Sequence, residues 1–325
     1  MENTLSQISS IGATWPPAVA SNQRLRGFYT EGVITNQQEA DAVTNHVESA
    51  VDDMLNSVDL SRLSVRVVSE IGALARLGFH RAHIEAALPI RGTGLVIAYV
   101  GINRAGRGMS ADRLAAHQGL LKTVTQQAHK AQHPTIDVRI LDQQDSAHLV
   151  PAFKELYGSF DYDDSDTKQL MSDDSNVIAY HQVDDVIAST AMAEKANVEI
   201  RGLGELTLVE ITEASTHPEF RQRGLYRAVS GYLIQHLISL HRDGALNIDA
   251  LYGESNLSMP GVVIAAHQNG RRFSYFDRDY LGCHNLSFGI LPQNFSVADG
   301  TETRRYNDFA VSYVPIETRR NQDAF

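Results

Sequence analysis

The sequence predicts a mixed α/β fold, and three observations carry that prediction. Beyond Pro134, short apolar strands alternate with amphipathic helices. Within that string three strands follow one another without a helix (Asn176 to Gln182, Val186 to Glu194, Gly204 to Thr212), a mixed-sheet pattern rather than a strict βαβ series. Finally, 43% hydrophobic and 21% charged residues over 325 positions supply enough apolar surface for a packed core and exclude a mostly disordered chain. At roughly 150 residues per domain, the length favours two domains, although one large domain is allowed.

The N-terminal 36 residues are polar, contain Pro16-Pro17, and read as irregular with one short strand around Leu25 to Tyr29. Gln37 to Val58 places Ala40, Val43, Val47, Val51, Met54 and Leu55 on one helical face. Ser64 to Val68 alternates as a strand, and Ile71 to Leu77 is a short helix stopped by Gly78. His80 to Leu88 and Gly94 to Ile102 are strands around an Arg91-Gly92 turn. Asn103 to Pro134 is a connector containing a helix, Ala111 to Ala131, whose excess of basic residues reads as a solvated face. Then come a strand (Thr135 to Leu141), a helix (Ala147 to Tyr157), the three strands above, a long amphipathic helix (Gly224 to Arg242), a strand (Asn247 to Tyr252), a helix (Leu257 to Gln268) and two closing strands (Arg271 to Tyr280, Asp308 to Val314).

Several function classes recede on composition. Lys and Arg total 28 against 39 Asp and Glu, a formal charge of −11, so no nucleic-acid partner is expected. The one cysteine, Cys283, forms no internal disulfide and no zinc-binding pair, and is read as structural. The longest apolar run, Leu95 to Ile102, is far shorter than the roughly 20 residues of a membrane span. The N-terminus lacks the basic start and apolar core of a secretory signal, so a cytoplasmic protein without membrane contact is expected. His80-x-x-His83 lies on a strand, where the two rings face opposite ways, so no metal site is expected. Gly253-Glu-Ser-Asn-Leu257 lacks the second glycine of a hydrolase elbow, and Trp15 reads as a packing anchor.

The informative stretch is Glu210 to Val229, EITEASTHPEFRQRGLYRAV. A strand ends in a polar loop, then Arg221-Gln222-Arg223-Gly224, then the long helix. Free N–H groups and the partial positive charge of a helix N-terminus bind anions. Gly224 permits close backbone approach, and Arg221 and Arg223 supply donors suited to phosphate. Together they predict a pyrophosphate cradle, although neither G-x-x-x-x-G-K-[ST] nor an in-register G-x-G-x-x-G occurs.

Strand, loop, R-x-x-G-x and helix resemble the acyl-CoA site of the GNAT superfamily of N-acetyltransferases, whose pattern is R/Q-x-x-G-x-G/A. Arg221, Gln222, Arg223, Gly224 and Leu225 fit it, and Tyr226 replaces the usual small residue. The resemblance implies a GNAT acyl-CoA N-acyltransferase fold over 135–325, with acetyl-CoA as co-substrate. Within the superfamily the chain most resembles the β-lysine N-acetyltransferases, because Arg66 to Pro89 followed by the strand Gly94 to Ile102 looks like a partial GNAT-like half without a cradle. The expected organisation is therefore a smaller partial GNAT-like domain at 1–102, a helical connector at 103–134 and the acetyltransferase domain at 135–325.

What the resemblance implies for chemistry can be placed on residues. An acceptor amine arrives protonated, its pKa being about 10.4, and a carboxylate beside the thioester can take the proton. Glu210 stands where several members carry their general base, with Glu213 as second candidate; a paired or cleft-lining Glu210 without a chemical role is the alternative. The oxyanion would meet a backbone N–H near Ile211 or Thr212. The position where many members carry an acidic tyrosine is Ala266 here, so His267, Tyr252 or a water would take that role. Ser255 and Asn256 would contact the CoA arm, or would cap a helix. Phe160 to Asp174 contains six aspartates, and Asp161, Asp163 and Asp164 would attract a cationic amine, or form a solvated acidic loop. The function expected is direct transfer of an acetyl group to a primary amine of a small amino-acid-like molecule. Another acyl-CoA, a protein amine, and a non-catalytic acyl-CoA-binding or interaction module remain the alternatives. The sequence leaves the oligomeric state open, a homodimer included.

Overall fold

The computed structural model describes residues 24–45, 62–74, 82–103, 111–126, 135–157, 163–257, 259–274, 286–290 and 306–316. The expected helix beyond residue 45, Cys283, Trp15 and most of the strand expected at Arg271 to Tyr280 lie outside them. The described residues form two sheets with helices against one of them, a mixed α/β architecture with mixed strand directions.

The N-terminal sheet has the order β1-β2-β4-β3, from β1 (Arg24–Ile34), β2 (Arg62–Glu70), β3 (Ala82–Pro89) and β4 (Leu95–Asn103). β1 runs parallel to β2 and the other pairs are antiparallel. A helical segment at 37–45, α1, follows β1. Its start is fixed by a capping box, with the Glu39 N–H donating to Asn36 Oδ1 at 3.0 Å and the Asn36 N–H to Glu39 Oε2 at 3.3 Å. The short α2 (Ile71–Leu74) closes β2. The helix of the connector, α3 (Ala111–Thr125), packs Leu121 and Val124 onto the C-terminal half.

The second sheet has the order β10-β12-β9-β8-β7-β6-β5, with β11 added on β12. Its members are β5 (Arg139–Ile140), β6 (Asn176–Val183), β7 (Val186–Ile200), β8 (Gly204–Thr216), β9 (Ala250–Asn256), β10 (Arg272–Phe273), β11 (Leu286–Ile290) and β12 (Tyr306–Val314). β8 and β9 are parallel, and every other pair is antiparallel. α4 (Val150–Tyr157) and α5 (Asp164–Ser172) cover one face of the β6–β7 region through Phe153, Leu156, Tyr157 and Met171 against Ile178 and Met192. α6 (Leu225–Arg242) covers the opposite face with Leu233, Ile234 and Leu237 against Ala191, Val209, Ile211 and Leu251. α7 (Pro260–Gln268) continues that layer and meets α3 through Val263 and Ala266.

Two elements differ from expectation for a physical reason. β7 extends well past Glu194, and the extension carries Val198 and Ile200 beside Leu206 and Leu208 of β8. These residues bury against Phe28, Val68, Leu88, Ile97 and Tyr99 of the N-terminal sheet. Their partners lie about a hundred residues or more away in sequence, so local periodicity does not announce the strand end. Asp164–Ser172 is a helix rather than an acidic loop, because Asp163 and Asp166 form a reciprocal capping box at its start.

The two sheets are fastened at three places besides that core. Arg91 donates from its backbone to Asp249 O and from Nε to Ile248 O, both at 2.9 Å. The Arg201 N–H reaches Thr30 O at 2.9 Å. Ser274 Oγ accepts from the Ala87 N–H at 2.9 Å and donates to Ala87 O at 2.8 Å, with both residues buried. Ser274→Ala leaves both Ala87 backbone groups without that partner and is expected to cost about 1–3 kcal/mol by chemical denaturation. A loss below a few tenths of a kcal/mol would show that the clip contributes nothing.

Candidate active site

The parallel pairing of β8 and β9 ends at Ile211↔Gly253, yet β8 continues to Thr216 and β9 to Asn256. Beyond that register the two strands no longer bond to one another. On its other edge β8 carries a bulge: Thr190 pairs Ser215 and Met192 pairs Thr212, so Glu213 and Ala214 together face Ala191. Glu213 takes φ 32°, a left-handed conformation unusual for its side chain, and its carboxylate accepts a hydrogen bond from the Thr212 hydroxyl. The bulge is held from the α4 side, where Ser215 Oγ donates to Leu156 O at 3.3 Å and Tyr157 Oη meets Thr190 Oγ1 at 3.3 Å.

β8 leads through a single 3-10 turn, Pro218–Phe220, into the predicted cradle. Gln222 has φ 63° and Gly224, the N-cap of α6, has φ 75°, and no side chain caps the helix. At Gly224 a side chain would be strained, and its absence leaves the first-turn N–H groups of α6 open to an external anion. Arg221 Nε donates to Thr216 O at 3.3 Å and Arg223 Nη2 to Glu219 O at 3.1 Å, which holds both exposed guanidinium groups beside the helix start. Leu225 is buried and begins the helix, while Tyr226 lies partly buried, its hydroxyl pKa raised by burial.

Glu210 sits at the last-but-one paired register, opposite Tyr252, and both project toward the N-terminal sheet. Tyr252 Oη donates to Glu210 Oε2 at 3.0 Å. Arg66, from β2 of the N-terminal sheet, donates from Nη1 to Tyr252 Oη at 2.8 Å, with Nη2 3.6 Å from Glu210 Oε2 and 4.0 Å from Glu254 Oε1. Its guanidinium is boxed by Tyr99 at 4.7 Å and by Phe28 and Tyr252 at 5.2 Å from each ring centre. Burial works against that charge, but Tyr252, Tyr99, Glu210 and Glu254 outweigh it and hold the proton more firmly than in a free arginine. Burial likewise raises the Tyr99 phenol, which Arg66 opposes.

Of the residues singled out from sequence, Glu210, Ile211, Thr212 and Glu213 line the end of β8 at the parting of the strands. Ser255 and Asn256 belong to β9 rather than to a helix cap; α7 begins at Pro260 with Met259 as an N-cap that makes no side-chain bond. Ser255 is fully buried, and its Oγ has no hydrogen-bond partner among the described residues. Asp161 lies outside the described residues. Asp163 uses its side chain in the α5 capping box, and Asp164 pairs with Lys154 on α4, so both are engaged in the local structure. Among the described residues no group of three His, Cys, Asp or Glu is placed to hold a metal ion, and no helix is long and apolar enough to cross a membrane. Sequence reasoning did not single out Arg66, Glu254 or Arg271. The available signal was a charged residue inside an apolar strand, as in Val65-Arg66-Val67, which is tolerated only with a buried partner.

No family profile matches the sequence, and no curated protein matches it. Solved structures similar to part of this chain include N-acetyltransferases. The N-acetyltransferase from Staphylococcus aureus Mu50 is 11% identical, covering 56% of this chain and 98% of that one at a TM-score of 0.35. The ribosomal-protein-S18-alanine N-acetyltransferase from Escherichia coli is 14% identical, covering 58% and 99% at a TM-score of 0.36. Arabidopsis thaliana NAA60 in complex with acetyl-CoA is 14% identical, covering 55% and 97% at a TM-score of 0.37.

Replacing Arg66 by Met removes the cation and leaves Glu210 and Glu254 buried without it. A stability loss of about 3–5 kcal/mol is expected by denaturant unfolding, and Arg66→Lys should lose less. An Arg66→Met protein as stable as the wild type would show that the ion pair is not a structural requirement.

Proposed function

We propose that the chain is an acetyl-CoA-dependent N-acyltransferase of the GNAT type that acetylates a primary amine of a small, amino-acid-like molecule. The observation that carries this reading is the parting of β8 and β9 beyond Ile211↔Gly253, with the uncapped start of α6 at one side of the gap and the Glu210 carboxylate at the other. A gap between two strands exposes backbone N–H and C=O groups that a pantetheine-like arm can pair with, as in strand addition. The helix start with Arg221, Gln222 and Arg223 suits a pyrophosphate. The buried Ser255 hydroxyl, without a hydrogen-bond partner among the described residues, gives the gap a further group to offer a ligand.

Acetyl-CoA held there would supply an activated acyl group as a thioester. The chain's own residues then have distinct tasks. Glu210 takes the proton that the acceptor amine must lose, directly or through water. Arg66 and Tyr252 fix its carboxylate at 3.6 and 3.0 Å. The N–H groups around Ile211 and Thr212 lie where the strands part and face a developing oxyanion. The acceptor reading rests on coverage: the Glu210 side chain is only 14% exposed under the N-terminal sheet, which favours a small molecule over a protein segment. In this reading residues 1–102 shape the acceptor side and bind no second cofactor.

Calorimetric titration of acetyl-CoA into the purified chain should show micromolar binding. Gly224→Asp should abolish it with the fold intact, because the new carboxylate would cap α6 itself and repel the phosphates. Wild-type protein that does not bind acetyl-CoA, or a Gly224→Asp protein that still does, would sink the assignment. For Glu210→Gln the expectation is a drop in kcat of about 10²–10⁴-fold with acetyl-CoA affinity little changed, followed by thiol release with diamine acceptors. Undiminished turnover would remove Glu210 from the chemistry.

A further inference from the structure

The helix-covered face of β9 holds a second buried cation that the proposed chemistry has not used. Arg271 follows the turn after α7 and is 2% exposed. Its backbone N–H donates to Ala266 O at 3.1 Å, and Asn269 two residues earlier donates to Arg227 O at 3.1 Å and to Ser230 Oγ at 2.8 Å, so the turn is tied to the first turns of α6. The side chain runs inward to Gly253. A Cβ on Gly253 would stand 2.5 Å from Arg271 Nη2 and 2.6 Å from Ile211 O, so only glycine admits the guanidinium to the backbone of the last paired register. Arg271 Nε and Nη2 have no hydrogen-bond partner among the described residues. Ser255, two residues beyond Gly253 on the same face of the strand, has an orphaned hydroxyl as well.

A guanidinium taken out of water costs several kcal/mol unless an anion answers it. The ionisable groups acting on Arg271 are Tyr226 from α6 and Glu210 from β8; burial lowers its pKa, and these two oppose the shift. Glu210 is already engaged on the opposite face by Arg66 and Tyr252. A preorganised cation with unused donors is most effective where negative charge develops during a reaction. At the parting of the strands, acyl transfer develops such charge on the departing sulfur.

Resting on the acyl-transfer reading, we propose that Arg271 is a catalytic residue that stabilises the CoA thiolate as it leaves. The amine nitrogen attacks the thioester carbonyl carbon, a C–N bond forms, and the C–S bond breaks with its electron pair passing to sulfur. The attacking amine is neutral, its first proton having passed through Glu210 to solvent; the second proton, lost from nitrogen as the amide forms, goes to Glu210, and the thiolate keeps its charge beside Arg271 until it is released to solvent.

The test reads the thiol rather than turnover. CoA bound to the wild-type protein is titrated by its thiolate ultraviolet absorbance, with desulfo-CoA as the blank. The bound thiol should titrate at least about one unit below free CoA, equivalent to a tenfold preference for the thiolate. Arg271→Met should bind CoA but return the thiol to the free value, and Arg271→Lys should keep part of the shift. Equal thiol titration in wild type and Arg271→Met overturns the proposal. So does an unshifted thiol together with a wild-type preference for an acyl-CoA bearing a terminal carboxylate, which would make Arg271 a donor-selecting residue instead. Failure of the wild type to bind CoA at all strikes the acyl-transfer reading first and the proposal with it. Should Arg271→Met not fold, the wild-type and Arg271→Lys titrations decide: an unshifted thiol in the wild type, or an undiminished shift in Arg271→Lys alongside an equal one in Arg271→Gln, rejects the proposal.

Discussion

The arrangement depends on one buried charge. Arg66 sits on the central strand β2, in register with Tyr99 of β4, and its guanidinium enters the space between the two sheets. A cation there is tolerable only if carboxylates and π-faces meet it. Glu210 and Glu254 come from adjacent strands of the other sheet, and Tyr252 bridges Arg66 to Glu210 by two hydrogen bonds. The apolar contacts of Phe28, Ile97 and Leu88 with Val198, Leu206 and Leu208 supply the non-directional attraction. Because such contacts carry no direction, the charge cluster, with the hydrogen bonds at Arg91, Arg201 and Ser274, fixes how the sheets face one another.

That constraint sets the site. Glu210 lies one residue before the strands part, so the contact that fastens the halves also positions the carboxylate proposed to act as base. Around the gap the backbone departs from its common conformations at Glu213, Gln222 and Gly224. Strain of this sort persists only where surrounding structure over-determines it, and here the β7–β8 bulge, the Leu156 and Tyr157 contacts, and the helix start of α6 do so. Two guanidinium groups flank the last two paired registers from opposite faces, Arg66 beneath the N-terminal sheet and Arg271 beneath α6 and α7. The gap is therefore bordered by cations on both sides of a carboxylate.

Much of this was legible in the sequence. The continuous apolar runs Val96 to Val100 and Val177 to Tyr180 mark strands, and the spacing of Val229, Leu233 and Leu237 marks one face of α6. The turn residues Gly224 and Gly270 sit where the chain takes positive φ. What could not be read depends on distant partners. The bond between Arg66 and Tyr252 spans 186 residues, and nothing near Arg66 names its partner. The extension of β7 is stabilised by the opposing sheet rather than by local periodicity. Ser255 and Asn256 look like cap residues by type, but β12 pairs with them and keeps them in a strand. The α5 helix was hidden by its aspartates, although the Asp163–Asp166 spacing is itself a capping signature.

Arg66 and Glu210 join the two halves of the chain and should therefore be energetically coupled. A double-mutant cycle in denaturant unfolding, with Arg66→Met, Glu210→Gln and the pair, measures that coupling directly. An interaction energy of at least about 1 kcal/mol is expected, within the usual range for residues in one buried network. Additive losses, with a coupling below about 0.3 kcal/mol, would contradict that coupling and instead leave the apolar interface and the bonds at Arg91, Arg201 and Ser274 to join the sheets.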